Sequence, residues 1–272
     1  MTATVDAILD RIGRWMAARL RAETSGYEPY TPSDPETLCA VLRPGDVLLV
    51  EGHQYISTVI KYLTQSTWSH AALFVGEIPG RSQPNGEPHV LVEVNVGEGC
   101  VSAPLSRYST YNTRVCRPLE LTPEDRARLV GFMVERVGLR YDMRNLFDMA
   151  RYFFPIPLPQ RWRRRAIAFG SGDPTRAICS TLIAQAFQAV RYPILPRVVR
   201  SVGSDEKTRR ILEEHYHIRH HSLFAPRDFD LSPYFAVVKP TIERGFDYRT
   251  IAWATDNAEA GLGVDRQATP GS

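Results

Sequence analysis

Cysteine is scarce in this 272-residue sequence, and the residues present are not spaced for disulfides or zinc. The four cysteines are Cys39, Cys100, Cys116 and Cys179, and no two form a CxxC pair or another short ligand spacing. The sequence therefore does not predict a disulfide-rich secreted module or a cysteine zinc site, and a reducing compartment fits it best. We expect Cys39, Cys100 and Cys116 to be packing residues.

Nucleotide-binding loops, membrane spans and a strong charge excess are also missing. Neither a P-loop nor a GxGxxG motif is present. No stretch approaches the roughly 20 apolar residues that cross a bilayer, and Asp6 and Asp10 come where a secretory signal would be apolar. The net charge is only +3, which argues against a dedicated nucleic-acid-binding protein. We expect a cytoplasmic protein that uses no cofactor and no metal.

The remaining composition predicts one elaborated globular domain. Hydrophobic residues make up 43% and charged residues 23% of the chain, which is enough apolar material for a full core. We place this domain at residues 36–245. Residues 1–35 precede it as an amphipathic helix (2–22) with a connector, and residues 246–272 follow as a tail whose end we expect to be disordered.

Short apolar runs and turn signals predict several elements of the domain. The predicted strands are 47–50, 68–76, 89–96 and 235–238, and the predicted helices are 54–63, 123–137, 177–187 and 204–214. The helix after Thr122 has the clearest start, because a capping threonine is followed by Pro123 and two acids.

The segment 177–187 carries the most informative cysteine. Cys179 falls on the first turn of an apolar helix, where unpaired backbone N–H groups and the helix dipole favour a thiolate over a thiol. The same N–H groups suit a developing oxyanion. A nucleophile of this kind needs a base, and His70, at the start of a predicted strand far upstream, is the candidate.

Several short motifs, taken in order, resemble one enzyme family. They are Arg43-Pro44-Gly45-Asp46, Ser69-His70-Ala71-Ala72, Val92-Glu93-Val94, Gly138-Leu139-Arg140-Tyr141-Asp142, Cys179-Ser180-Thr181-Leu182, and Pro226-Arg227-Asp228 with Ser232-Pro233. Together they resemble the permuted branch of the NlpC-type papain-like cysteine hydrolases. Within it they are most similar to the YiiX/YaeF-like amidases, with the lecithin:retinol acyltransferase-like proteins as cousins. The resemblance covers roughly residues 40–240.

The resemblance implies a fold and a set of roles. The fold would be α+β, a circularly permuted papain-like domain in which a small antiparallel, barrel-like sheet packs with helices. Cys179 would be the nucleophile, His70 the base that later protonates the leaving group, and Glu93 the residue that orients the imidazole. Tyr141, and with it Ser180, would contact the oxyanion or the substrate.

The sequence leaves some site assignments open. The loop between the His70 and Glu93 strands is long, so Asn95 and His89 stay as alternatives for the third catalytic residue. The family commonly has a glutamate soon after the cysteine, and this chain has Thr181 there. Residues 151–165 read as an insertion rich in proline, aromatic residues and arginine.

We therefore expect a thiol hydrolase that cleaves an amide or ester through a Cys179 acyl-enzyme. One alternative is a lipid hydrolase or acyltransferase at the membrane surface, reached through residues 2–22 and 151–165. Another is an inactive binding module of the same fold. The expected substrate is a peptide, an acyl amide or a lipid, and no nucleic acid. A cluster of four histidines (215, 217, 220 and 221) lacks good metal-ligand spacing.

Overall fold

The computed structural model describes residues 34–95, 98–139, 178–202, 212–217, 220–221, 224–243, 245 and 247–250. Four of the sequence predictions fall on other residues. The helix 2–22, Tyr141, the segment 151–165 and the tail beyond Thr250 lie outside the described residues. In the parts of the chain just given, no helix is long and apolar enough to span a membrane.

The described elements alternate between helices and strands along the chain. The strands are β1 (Val47–Val50), β2 (His70–Phe74), β3 (Leu91–Asn95), β4 (Gly99–Ala103), β5 (Thr113–Pro118), β6 (Arg197–Val202), β7 (Leu212–His217) and β8 (Phe235–Val238). The α-helices are α1 (Pro35–Val41), α2 (Tyr55–Thr64), α3 (Pro123–Val134), α4 (Ile178–Ala189), α5 (Pro226–Leu231) and α6 (Pro240–Glu243). Short 3-10 helices lie at Leu105–Tyr108 and Tyr248–Thr250.

Six strands form one antiparallel sheet in the order β4-β3-β2-β1-β5-β8. The predicted mixture of an antiparallel sheet and packed helices is therefore present. The barrel-like closure is not, because the edge strands β4 and β8 do not pair with each other in the described sheet. The outer edge of β4 is occupied instead by the chain after α3: Cys100 N donates to Leu139 O (2.9 Å), and Gly138 N donates to Cys100 O (2.8 Å).

The turn before β1 shows how the sequence starts the sheet. Gly45 has a φ of +96°, a conformation that favours glycine, and its N–H donates to Phe74 O at 2.8 Å. Asp46 then accepts hydrogen bonds from Arg43 N (2.9 Å) and from Arg117 Nη2 (2.8 Å). The turn thus joins β1, β2 and β5 at one end of the sheet.

Both faces of the sheet are covered, as the continuous apolar run of β1 requires. One face packs against α3 and α4, and it includes Val47, Leu49, Ala71, Leu73, Val92, Leu129, Met133, Leu182, Ile183 and Phe187. The other face packs against α1 and the Leu105–Tyr108 turn, and it includes Leu38, Leu48, Val50, Ala72, Phe74, Leu91, Ala103, Leu105 and Tyr108. Alternate residues of each strand therefore enter different cores.

Two expectations from the sequence are wrong in the described residues. Residues 212–214 belong to β7, which pairs antiparallel with β6, and not to a helix 204–214. Strand pairing with a neighbour overrides the helix preference of the two glutamates there. Cys39 is exposed on α1, because Leu38 is the helix residue that faces the sheet. Cys100 and Cys116 are buried as expected.

The ion pair between Asp46 and Arg117 generates a stability prediction. Asp46 is 1% exposed, and the side chain of Arg117 is 14% exposed. Replacing Asp46 by alanine leaves a nearly buried guanidinium without its partner, which we expect to lower the free energy of unfolding by about 3 kcal/mol in urea denaturation. Arg128→Ala, which removes a surface pair with Asp125, should cost less than about 1 kcal/mol. Equal losses in the two variants would contradict this assignment.

Candidate active site

The predicted base lies at the end of a central strand. His70 is the first residue of β2, where the strand pairs with Val50 of β1. Glu93 lies in β3, paired with Ala72. Because side chains alternate along a strand, His70 and Ala72 point to the same face, and their neighbour Glu93 shares it. The antiparallel register therefore brings the imidazole and the carboxylate together.

The predicted nucleophile, Cys179, belongs to helix α4. The helix packs on β2, β3 and α3, and its buried residues Leu182, Ile183 and Phe187 fix it there. Cys179 lies in the first described turn and is 6% exposed. Its side chain is near enough to the His70 ring for a hydrogen bond between them to raise the pKa of His70. The structure thus brings together a histidine and a cysteine that are 109 residues apart, numbers 70 and 179.

His70 has a different partner on each side of its ring. Nε2 lies 3.0 Å from Glu93 Oε2, which leaves Nδ1 as the ring nitrogen that serves the thiol. The carboxylate selects the tautomer with a proton on Nε2 in the neutral ring, and it stabilises the doubly protonated ring. The side chain of His70 keeps 19% of its surface exposed, so a substrate can approach it.

Glu93 is fully buried, and it has partners on both carboxylate oxygens. Oε2 accepts from His70 and, in a short hydrogen bond, from the Tyr108 hydroxyl. Oε1 accepts from Asn95 Nδ2 at 3.1 Å and forms an ion pair with Arg107 Nη1 at 3.4 Å. A buried carboxylate with this many donors is held in its charged form.

The electrostatics of the site favour a protonated imidazole beside a charged carboxylate. Burial by itself lowers the pKa of His70, but the hydrogen bonds and charges of Cys179 and Glu93 outweigh it and raise this pKa to about 10. Burial raises the pKa of Glu93, but His70, Arg107 and Tyr108 together bring it down to about 2. At neutral pH the site therefore contains an imidazolium between the Glu93 carboxylate and the side chain of Cys179.

A row of aromatic rings continues from the site. The ring of Tyr108 lies 6.1 Å from that of His70, and the Tyr111 ring stands edge-on to Tyr108 at 5.6 Å. The row ends at His53, 4.8 Å from Tyr111. Burial and the charge of Glu93 raise the pKa of Tyr108 well above its usual value, so its hydroxyl stays a neutral donor.

The other predicted site residues have different neighbours. Asn95 contacts Glu93 rather than His70. His89 is bonded to Ser102 Oγ at 2.8 Å and to Gln83 at 3.2 Å, away from the His70 ring. The Ser180 hydroxyl donates to the Phe224 carbonyl at 2.6 Å, within the core. Tyr141 is outside the described residues.

Sequence reasoning missed Arg107 and Tyr108. They lie on the 3-10 helix after β4, a strand that the apolar pattern did not reveal. The signal available was an arginine and a tyrosine shortly after a hairpin partner of the Glu93 strand. A strand assignment for Gly99–Ala103 would have placed them beside Glu93.

Metal ligands do not gather in the described part of the chain. No group of three or more His, Cys, Asp or Glu residues in it could hold an ion. The rings of His220 and His221 stack at 4.0 Å, while only the backbone is described for the other two members of the histidine cluster, in β7.

The ionisation of His70 and Glu93 predicts how the stability of a Glu93→Gln variant should depend on pH. This substitution keeps the shape of the side chain and removes its charge. The pKa of His70 is raised from 6.5 to about 10, so its pairing stabilises the fold fully below pH 6.5 and is lost as pH rises through 10. The pKa of Glu93 is lowered from 4.5 to about 2, so that contribution is complete above pH 4.5 and is lost as pH falls through 2.

We therefore expect the free energy of unfolding of the wild type to exceed that of Glu93→Gln by the largest amount between pH 4.5 and 6.5. This difference should become smaller at lower and at higher pH. Urea denaturation across the pH range measures this difference. A difference in free energy of unfolding that does not change with pH would show that the charge of Glu93 is not coupled to His70.

Comparisons with known proteins found a weak likeness to solved structures. No protein-family model matches the sequence, and no curated protein is significantly similar to it. The crystal structure of metalloprotein yiiX from Escherichia coli O157:H7, described as DUF1105, aligns with 72% of this chain and 96% of its own. The sequence identity is 16% and the TM-score is 0.42. A likeness of this size is too weak to assign the chain to a family.

Proposed function

We propose that this protein is a cysteine hydrolase that cleaves an amide or ester bond through an acyl-enzyme on Cys179. The observation that carries the proposal is the continuous set of contacts from Cys179 to His70 to Glu93. A nucleophile, a base and a residue that orients the base are the parts that thiol acyl transfer requires. The same parts serve for peptide, acyl-amide and lipid-ester substrates.

In the first step the Cys179 thiolate attacks the substrate carbonyl carbon. A carbon–sulfur bond forms, and the carbonyl π electrons move to the oxygen. Cys179 lies in the first described turn of α4. The sequence predicts that the helix begins here, and backbone N–H groups in the first turn of a helix have no partner within it. Those N–H groups would stabilise the oxyanion.

In the second step the tetrahedral intermediate collapses and the bond to the leaving group breaks. His70 gives its Nδ1 proton to the departing nitrogen or oxygen, which yields a free amine or alcohol and a thioester on Cys179. The now neutral imidazole takes a proton from water, and the hydroxide attacks the thioester. The resulting tetrahedral intermediate collapses and the carbon–sulfur bond breaks. The products are the carboxylic acid, the Cys179 thiolate and the imidazolium that formed when His70 took the proton from water. An alcohol or amine in place of water would make the reaction an acyl transfer.

We further propose that the domain is papain-like in circularly permuted order. The support is the sequence in which the site is assembled: the strand with His70, then the strand with Glu93, then the helix with Cys179. Because the chemistry depends on geometry and not on chain order, this order is compatible with the same mechanism.

A substrate screen tests the proposal. Wild type and variants are assayed with peptides, acyl amides and phospholipids, and intact mass spectrometry is used to detect the acyl-enzyme. Replacing Cys179 by alanine should abolish the covalent adduct and all turnover, and His70→Ala should slow turnover by about 10² to 10⁴-fold, since it removes the general acid and base.

Cys39→Ser serves as the matched control, because it removes an exposed thiol of α1. It should retain wild-type activity. Turnover that survives Cys179→Ala, or an adduct on Cys39 instead, would overturn the assignment of the nucleophile.

Alkylation by iodoacetamide gives a second prediction that needs no substrate. The raised pKa of His70, about 10, keeps an imidazolium beside Cys179 across the neutral range, and a neighbouring cation makes a thiol more reactive. We therefore expect Cys179 to be alkylated faster than the exposed Cys39 at neutral pH, and His70→Ala to remove this difference. Peptide mapping with Cys39 as internal reference measures both rates. Labelling of Cys179 no faster than that of Cys39 would contradict the proposed pair.

A further inference from the structure

We propose that Arg107 and Tyr108 are positioning residues for His70: they hold both oxygens of Glu93 and so set how strongly this carboxylate binds the imidazole proton. We call these two residues the carboxylate clamp. The inference rests on the proposed function and deepens it, since it assigns a role to two residues that lie behind the dyad.

The clamp divides its contacts between the two oxygens of Glu93. Tyr108 donates to Oε2, the same oxygen that accepts from His70 Nε2. Arg107 is paired with Oε1 at 3.4 Å, where Asn95 Nδ2 also donates at 3.1 Å. With donors on each oxygen, the plane of the carboxylate is fixed independently of the histidine. The acceptor that meets Nε2 therefore has a defined position and direction.

The same contacts share the negative charge of Glu93. The arginine and the phenol each draw electron density from the carboxylate, so less is left for the imidazolium. If Glu93 served His70 alone, the imidazolium would be more strongly stabilised and would be a poorer acid toward the leaving group. The clamp thus orients His70 and keeps its proton available.

The clamp is itself held in place by the loop between β2 and β3. Ser106, one residue before Arg107, donates to Glu87 from its backbone N–H at 3.0 Å and from its hydroxyl at 2.5 Å. Leu105 and Tyr108 bury their side chains in the core beneath the sheet. The long loop that sequence analysis found between the two catalytic strands therefore supports the site.

The ionisable groups around the clamp come from several elements. In the described residues, His70 faces Glu93 of β3, Cys179 of α4 and Tyr108. The charges of Glu98 and Tyr111 also raise the pKa of Arg107, and the charge of Glu93 raises the pKa of Cys100 in β4. Of these groups, Arg107 is the cation that contacts Glu93 from the solvent side, with 44% of its side chain exposed.

The test is an NMR titration of the His70 ring in full-length protein carrying Cys179→Ala. That background removes the thiol, whose ionisation would otherwise be coupled to the imidazole. Adding Arg107→Gln should move the His70 titration upward by roughly 0.2 to 0.7 pH unit, the range set by a partly exposed charge pair. Tyr108→Phe, which removes a hydrogen bond to the same carboxylate, should move it in the same direction. Arg107→Lys, which restores the charge, should return the titration toward that of the parent.

Two matched controls separate positioning from general stability. Tyr192→Phe removes a hydroxyl that donates to Leu119 O (2.8 Å) and Tyr234 O (2.6 Å), beyond the far end of α4 from Cys179. Arg128→Gln removes an exposed arginine paired with Asp125. Both should leave the His70 titration at its parent position, although Tyr192→Phe should lower the unfolding midpoint.

The inference is overturned if neither clamp variant moves the His70 titration upward, or if Tyr192→Phe moves it equally. Should Tyr108→Phe not fold, Arg107→Gln alone decides, because its side chain is partly exposed. Failure of the proposed function gives a different result: wild type would form no acyl-enzyme, while the titrations, made without the thiol, would still show the clamp.

Discussion

A carboxylate that is removed entirely from water must have its charge compensated by the protein, and Glu93 is in that position. Its compensation comes from four side chains on three segments: His70 on β2, Asn95 on β3 itself, and Arg107 and Tyr108 on the turn after β4. The register of the β2-β3-β4 hairpins makes these contacts possible. The orientation of the His70 ring, and through it the contact with Cys179, depends on how the charge of Glu93 is compensated.

The sequence reveals those parts of the fold that depend on local pattern. The apolar run of β1, the start of β2 at His70, the alternation around Glu93 and the threonine cap of α3 each have a signal within a few residues, and each element is present. Motif order predicts His70, Glu93 and Cys179 as site residues, and the structure places His70 between the other two. Their catalytic roles remain a prediction.

The parts that could not be predicted depend on contacts between distant segments. Nothing near Arg107 or Tyr108 in the chain indicates that a buried acid lies at position 93; that follows only from the β3–β4 register. The exposure of Cys39 depends on which side of a short helix meets the sheet. Gly138 and Leu139 pair with Cys100 at the edge of the open sheet, and β7 forms where composition favoured a helix.

The pairing of Cys100 with the chain after α3 also bears on how the molecule behaves in concentrated solution. An unprotected edge strand can add a strand from another molecule, which is how many sheet proteins begin to aggregate. Here the Cys100 N–H and C=O groups are already used by Leu139 and Gly138. At the opposite edge, β8 has only four residues, which leaves little edge for another strand to pair with. The two edges of the sheet thus discourage polymerisation by different means, one through backbone groups that are already hydrogen-bonded and the other through the shortness of its strand.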